Sequence, residues 1–322
     1  MSSPSSANVG IDVSKETLDI AVHETETHWT SQHEFSEFPQ LLRSLQALNP
    51  TRIITEASGG VENLLVSYLA AAGLPVIVVN PRQVRDFARA TGQLAKTDRI
   101  DAFVLARFGA TIEPNVRQLK SAETQELGAL VARRAQLVSM LTAERVRLQQ
   151  AQQQRRQAIV ADLKAHISWL EKRLGKCEGD LSQLLRSSSI WRAREERLRS
   201  VPGVGPVTTL VLIADLPELG QVPDKQIVAL CGLAPHARDS GKWHGKRMTR
   251  GGRARVRTAL YMAALVATRH NLVIKTFYRR LLRAGKDKKV ALTACMRKLL
   301  VILNAMFRNQ TSWQPPRLQD LI

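Results

Sequence analysis

What this 322-residue chain has little of narrows its class before any motif is weighed. Its three cysteines, Cys177, Cys231 and Cys295, lie far apart, with no Cys-x-x-Cys and no paired histidine spacing. Neither a disulfide framework nor a structural zinc centre is supported. No uninterrupted apolar run is long enough to span a bilayer, and the polar start Met-Ser-Ser-Pro-Ser-Ser-Ala lacks the charged and apolar regions of a signal peptide. A cytoplasmic protein without a membrane partner is the expectation. Proline is absent between residues 121 and 187, which removes the commonest interruption of a helix. Acidic residues are scarce beyond the first third of the chain: residues 1–120 carry 11 Lys+Arg against 13 Asp+Glu, and the remainder carries 36 against 15.

What is present follows that asymmetry. A hydrophobic content of 44% excludes wholesale disorder, and the length predicts two or three domains. The formal net charge of +19 falls almost wholly on residues 121–322, so a polyanion, nucleic acid first of all, is the expected partner of that part. Apolar runs predict strands over 8–12, 18–22, 27–33, 52–56 and 75–79, and helical patterns cover 38–48, 61–72, 82–91 and 99–110. That order predicts a mixed sheet with covering helices over residues 1–120, of ribonuclease-H-like character. Residues 121–189 read as two long helices. Val160, Leu163, Ile167, Leu170, Leu174, Cys177, Leu181 and Leu184 form a heptad seam in the second, while Arg134 and Glu144 interrupt the first. An antiparallel hairpin and an intermolecular coiled coil both satisfy that pattern. Residues 190–322 form a third, mostly helical region.

Four carboxylates stand out in the first region. Asp12 ends the run Asn-Val-Gly-Ile-Asp, Glu56 ends Arg-Ile-Ile-Thr-Glu, and Asp98 and Asp101 lie three apart at the start of a helical pattern. Such a set can hold two Mg²⁺ ions about 4 Å apart around a phosphodiester in transfer. The blander alternative is a helix cap at Asp98 and Asp101 and a turn former at Asp12.

In the third region, Val-Pro-Gly-Val-Gly-Pro resembles a helix-hairpin-helix turn, in which Gly203 and Gly205 would let backbone N–H groups approach a phosphate. From residue 238 to 257 eight Lys and Arg face one acid. Arg238, Lys242, His244, Lys246, Arg247, Arg250, Arg253, Arg255 and Arg257 are candidate phosphate contacts, and Trp243 is a candidate stacking residue. A further basic group at Arg269, Arg279, Arg280, Arg283, Lys286, Lys288 and Lys289 suits a nucleic-acid backbone, while Trp169 and Trp191 read as packing residues. Ser240, between Asp239 and Gly241, is either a turn former or a nucleophile toward phosphorus, assisted by the surrounding cations.

Several segments together carry a resemblance. Gly-Ile-Asp-Val-Ser-Lys, Thr-Glu-Ala-Ser-Gly, Asn-Pro-Arg-Gln-Val-Arg-Asp-Phe-Ala-Arg-Ala and Lys-Thr-Asp-Arg-Ile-Asp-Ala resemble the N-terminal half of the DEDD-type insertion-sequence transposases. This is the family numbered one hundred and ten, which includes pilin-gene-inverting recombinases. Ser-Val-Pro-Gly-Val-Gly-Pro-Val-Thr, Cys-Gly-Leu-Ala-Pro, Asp-Ser-Gly-Lys and Leu-Tyr-Met-Ala-Ala resemble its C-terminal domain. The resemblance implies a RuvC-like fold for residues 1–120, Mg²⁺ ligation by Asp12, Glu56, Asp98 and Asp101, and a covalent serine–DNA link at Ser240. It further implies guidance by a structured bridge RNA, donor and target double-stranded DNA, a homodimer assembling into a homotetramer with centres shared between protomers, and a bacterial, nucleoid-associated setting. The alternatives are a metal-dependent junction resolvase without a covalent intermediate, an actin-like sugar kinase, and a non-catalytic nucleic-acid scaffold.

Overall fold

Alternating apolar residues in the first hundred positions build a five-stranded sheet. The computed structural model describes residues 7–115, 122–237, 239–241, 243–245 and 247–315. Strands β1 (Ala7–Val13), β2 (Thr17–Val22) and β3 (His28–Gln32) form an antiparallel meander, and β4 (Pro50–Glu56) and β5 (Val76–Val79) add in parallel on the other side of β1, giving the order β3-β2-β1-β4-β5. Parallel neighbours need crossovers, and helices α1 (Phe38–Ala47) and α2 (Asn63–Ala71) supply them, with α3 (Pro81–Ala90) and α4 (Asp98–Ile112) following β5. Ile53 and Ile54, adjacent on β4, are both fully buried because successive strand residues face opposite sides. Ile53 packs with Phe38, Leu45, Leu65 and Leu69 of α1 and α2; Ile54 packs with Val84, Leu105 and Phe108 of α3 and α4. Each such side chain contributes roughly 1.5–3 kcal/mol on burial. The predicted strands and helices of this region correspond to these elements to within a few residues at each end.

The chain divides into two compact units, residues 1–119 and 120–322. The second begins with α5 (Ala122–Gln153) and α6 (Gln157–Ser187), joined by a three-residue turn. They pack as an antiparallel hairpin, so of the two arrangements open to the sequence the chain adopts the intramolecular one. Val160, Leu163, Leu170, Cys177 and Leu181 of the seam are buried. The two interruptions are matched by partners: Arg134 pairs with Glu178 at 2.7 Å, and buried Glu144 accepts from Arg147 at 2.6 Å with His166 at 3.6 Å. Helices α7 (Ser189–Arg199), α8 (Pro206–Asp215), α9 (Asp224–Leu230), α10 (Ala254–His270), α11 (Leu272–Arg283) and α12 (Lys288–Arg308) follow. Leu127 and Leu181 of the hairpin share one apolar core with Leu212, Leu260 and Leu299, so hairpin base and C-terminal helices form one body. Helix α12 is long and apolar enough to cross a membrane, but Arg297 and Lys298 interrupt its apolar run, as the sequence expectation has it, and more than half of its most apolar stretch is buried, with Cys295, Leu299 and Leu303 in that core. Between α9 and α10 the short strands β6 (Pro235–His236), β7 (Asp239–Ser240), β8 (Trp243–His244) and β9 (Met248–Thr249) pair outside-in, β6 with β9 and β7 with β8, as one interrupted hairpin.

Candidate active site and nucleic-acid surface

The acid set is assembled by two close approaches. A Cβ on Gly10 would stand 2.1 Å from the Ala102 carbonyl oxygen and 2.4 Å from the Ala106 nitrogen, so only glycine lets α4 lie against β1. On α4, Gly109 likewise admits Ile54, 2.7 Å from where its Cβ would be. Side chains two apart on a strand share a face, so Asp12 and Glu56, two beyond Gly10 and Ile54, face the side that α4 covers. The register pairs Ile11 with Thr55, which sets Asp12 and Glu56 beside one another at the ends of adjacent parallel strands. From α4, Asp98 and Asp101 of the first turn complete the set. The cap of that helix is Thr97, whose Oγ1 accepts from the Ile100 N–H at 3.2 Å, so neither aspartate is spent as the N-cap.

The electrostatics record the convergence. Burial, and then the charges of Asp101, Glu56 and Asp98, push the Asp12 carboxyl up from 3.8 to about 6, against the pull of Lys96. Glu56 is raised in the same way, by burial and by Asp101, with Lys96 again opposing. Among the described residues no three His, Cys, Asp or Glu side chains stand at the distances needed to share one ion. The two observations concern different things. The backbone brings the acids near enough for three of them to act on Asp12, while the side chains as they stand do not close to ligand distance.

Two neighbours went unnoticed in the sequence. Asp19 lies directly opposite Asp12 in the β1–β2 ladder and is 9% exposed. It is turned toward β3, where Thr30 Oγ1 donates to its Oδ1 at 3.1 Å and His28 Nε2 lies 2.9 Å from the same oxygen. The signal was an acid inside the apolar run Leu18–Val22. Glu62, 5% exposed, accepts from the Ser58 and Gly60 N–H groups at 3.1 and 2.9 Å and so orders the loop that leaves Glu56.

Ser240 stands on an exposed strand pair beside a two-residue turn, with Ser240 opposite Trp243 and Asp239 opposite His244. Gly241 takes a φ of 55° in that turn, where other residues are strained. The Ser240 hydroxyl has no hydrogen-bond partner among the described residues. Trp243 is 61% exposed, and Arg247 and Arg250 are exposed on either side of β9. Arg238, Lys242, Lys246 and the side chain of His244 lie outside the described residues.

Three of the expected phosphate contacts have other employment. Arg253 forks onto both carboxylate oxygens of Glu218 and donates to the Asp215 carbonyl at 2.8 Å. Arg255 donates to Asp215 Oδ1 at 2.8 Å, and Arg257 donates to the carbonyls of Gly251 and Cys231. These arginines tie the hairpin base to the loop after α8. At the same base a Cβ on Gly252 would meet the Gly232 nitrogen at 2.1 Å, so the two glycines let the chain ends of the hairpin touch. Gly203, at φ 105°, is likewise committed to packing: its Cβ would lie 2.7 Å from that of Ala267 on α10. Gly205 precedes α8 as its N-cap, and a Cβ there would meet nothing, so unlike Gly203 it is not committed to packing. Trp191 is buried as expected, whereas Trp169 is 51% exposed on α6, with the Arg173 guanidinium 5.8 Å from its ring.

Carboxylates gathered at the ends of adjacent strands and the start of a helix, joined in one chain to a basic helical unit bearing an exposed serine, define a class of DNA-processing enzyme, and relatives identify it. Residues 9–155 match the DEDD transposase domain of IS110, described as "Transposase", and residues 195–279 match the "Transposase IS116/IS110/IS902 family". The chain is 30% identical to the pilin gene-inverting protein of Moraxella lacunata over 317 residues, 93% of this chain and 95% of that protein, and equally similar to the one from Moraxella bovis. It is 24% identical to the transposase for insertion sequence element IS1111A of Coxiella burnetii over 258 residues, 72% of this chain and 70% of that one. The chain is a DNA transposase or recombinase enzyme. It belongs to the IS110 family of DEDD transposases.

Proposed function

We propose that this enzyme is an RNA-guided recombinase that cuts and rejoins donor and target DNA through a serine–DNA intermediate, with Asp12, Glu56, Asp98 and Asp101 holding Mg²⁺. The observation that carries the reading is the convergence of these four acids from β1, β4 and α4, with Asp12 pushed up to about 6. Hard carboxylate oxygens that repel one another are a donor set suited to a hard divalent cation, and the sheet order β3-β2-β1-β4-β5 supports a RuvC-like, ribonuclease-H-like unit. The ions these residues would hold supply charge stabilisation to the phosphate oxygens.

The residues of the chain itself do the rest. Ser240 Oγ attacks the scissile phosphorus, forming an Oγ–P bond as the P–O bond to one DNA end breaks; the hydroxyl proton passes to solvent and the leaving oxygen takes one up. Attack by a DNA hydroxyl then reverses these changes and frees the serine, so the phosphodiester energy is retained and no nucleotide is consumed. Arg247, Arg250, Arg238, Lys242 and Lys246 offset charge on the phosphate, and Trp243 offers a face to a base. In this reading Gly205, Arg247 and Arg250 serve the nucleic-acid backbone, while Arg253, Arg255 and Arg257 hold the hairpin in place. Few side chains here suit base reading, which favours delegating sequence choice to a guide RNA within a dimer or tetramer.

The test is covalent trapping on labelled DNA with the matching element RNA and Mg²⁺. A protein-linked DNA band on a denaturing gel is expected for the wild type and not for Ser240→Ala or Asp12→Ala. Cutting without such a band, undiminished in Ser240→Ala, would replace this reading with a metal-dependent resolvase.

A further inference from the structure

Lys96 is a charged side chain that the four-carboxylate scheme leaves unassigned. It lies in the segment between α3 and α4, two residues before Asp98, and its Nζ is 3.6 Å from Asp101 Oδ2. Among the described residues this is the only ion pair made by any of the four acids. The same ammonium acts on Asp12 of β1 and on Glu56 of β4, where it opposes the effect of burial. One cation therefore pairs with Asp101 of α4 and also acts electrostatically on acids of β1 and β4. Unlike the acids it is not fixed by a strand or helix, and its side chain is 67% exposed against 20% for Asp101.

We propose that Lys96 is a tethered counter-cation of the carboxylate set, competing with a divalent ion for it and turning to a phosphate oxygen of the DNA once that ion is bound. The proposal rests on the metal-binding reading of the four acids. An ammonium and a divalent ion repel one another strongly at such separations, so both cannot hold the same oxygens. A compact charge on a flexible four-carbon stem can move aside, and its flanking position on an exposed segment leaves it beside any phosphate brought to the set. Held there, it would neutralise charge that grows on that phosphate during transfer. In the absence of an ion it shields acids that would otherwise face one another unopposed.

The experiment titrates the full-length protein, free of nucleic acid, with Mn²⁺ followed by the paramagnetic resonance of the free ion, and then measures DNA cutting at saturating metal. Variants are Lys96→Gln, Lys96→Arg and Asp12→Asn. Lys96→Gln is expected to bind Mn²⁺ roughly 3- to 10-fold more tightly than wild type, since a competing charge is gone. It should nonetheless cut DNA roughly tenfold more slowly or worse at saturating metal, having lost a donor to the transition state. Lys96→Arg keeps the charge and should stay near wild type in Mn²⁺ affinity. Unchanged or weaker Mn²⁺ binding by Lys96→Gln, or undiminished cutting, overturns the proposal. If Asp12→Asn binds Mn²⁺ as wild type does, the metal-site reading itself is wrong, and the role of Lys96 falls with it.

Discussion

The acid set and the serine hairpin solve opposite problems. Asp12 and Glu56 end strands whose inner residues are fully buried, under a helix whose backbone touches the sheet at Gly10. Ser240 sits at the tip of a narrow, exposed strand pair, held at its base by Gly232, Gly252 and the arginines behind them. Four like charges have to be forced together against repulsion, and that takes a packed scaffold. On the proposed reading, a nucleophile that must enter and leave a DNA phosphate gains from exposure, and needs rigidity only where its hairpin departs. The charges follow the same division: the acids lie in the nearly neutral third of the chain, and the serine in the part with 36 Lys+Arg.

The largest effect should come from breaking the scaffold at Gly10. In Gly10→Ala the new Cβ would lie 2.1 Å from the Ala102 carbonyl oxygen, a backbone atom that cannot move alone. Displacement of α4 from β1 should cost roughly 3 kcal/mol or more. Hydrogen exchange is then expected to speed up across β1 and α4, Mn²⁺ affinity to be lost, and residues 120–322 to keep wild-type protection. Loss of protection across the whole chain would show that the two units do not stand independently.

The complementary break lies at the hairpin base. Gly252→Ala meets the Gly232 nitrogen at 2.1 Å and places alanine at φ 69°. A cost of roughly 2 kcal/mol, confined to the segment around the hairpin, is expected. Serine trapping should fall steeply while Mn²⁺ affinity stays unchanged, the reverse of an acid-set mutation. A fall in both would mean the comparison drawn between the two sites is wrong.

The two sites also differed in how far they could be read in advance. The scaffold was legible because strand and helix periods, and acids at the ends of apolar runs, are local signals: Asp12 does end its strand region, and Asp98 and Asp101 share the first turn of α4. The basic region was less legible because a charge run shows cations and hides the acids that fold back onto them. Glu218 and Asp215 stand 35 and 40 residues from Arg253 and Arg255, and neither pairing has a local signature. Gly203 misled for a similar reason, since a packing glycine and a phosphate-approach glycine look alike until Ala267 is seen against it. Lys96 was overlooked because a lone lysine beside an acidic motif is ordinary in sequence; its significance appears only once β1, β4 and α4 meet around it.

The smallest effect is the pH dependence of the scaffold, and it probes the burial of Asp12 together with the charges around it. Folding raises the Asp12 carboxyl from 3.8 to about 6, so the folded state favours its protonated form. That stabilisation is fully present below about pH 4 and is lost as pH rises through about 6. After allowance for the partial exposure of the group it amounts to about 1 kcal/mol. The melting temperature of the N-terminal unit within the full-length protein, measured in EDTA, should therefore decline between pH 5 and pH 7 more steeply than in Asp12→Asn, which cannot ionise. At pH 7.5 Asp12→Asn should be the more stable of the two and yet inactive. Adding Mg²⁺ should raise the wild-type melting temperature at pH 7.5, where the carboxylates are ionised, and do little at pH 5. Identical pH profiles for wild type and Asp12→Asn would mean that neither burial nor the neighbouring acids hold the Asp12 carboxyl above its ordinary range.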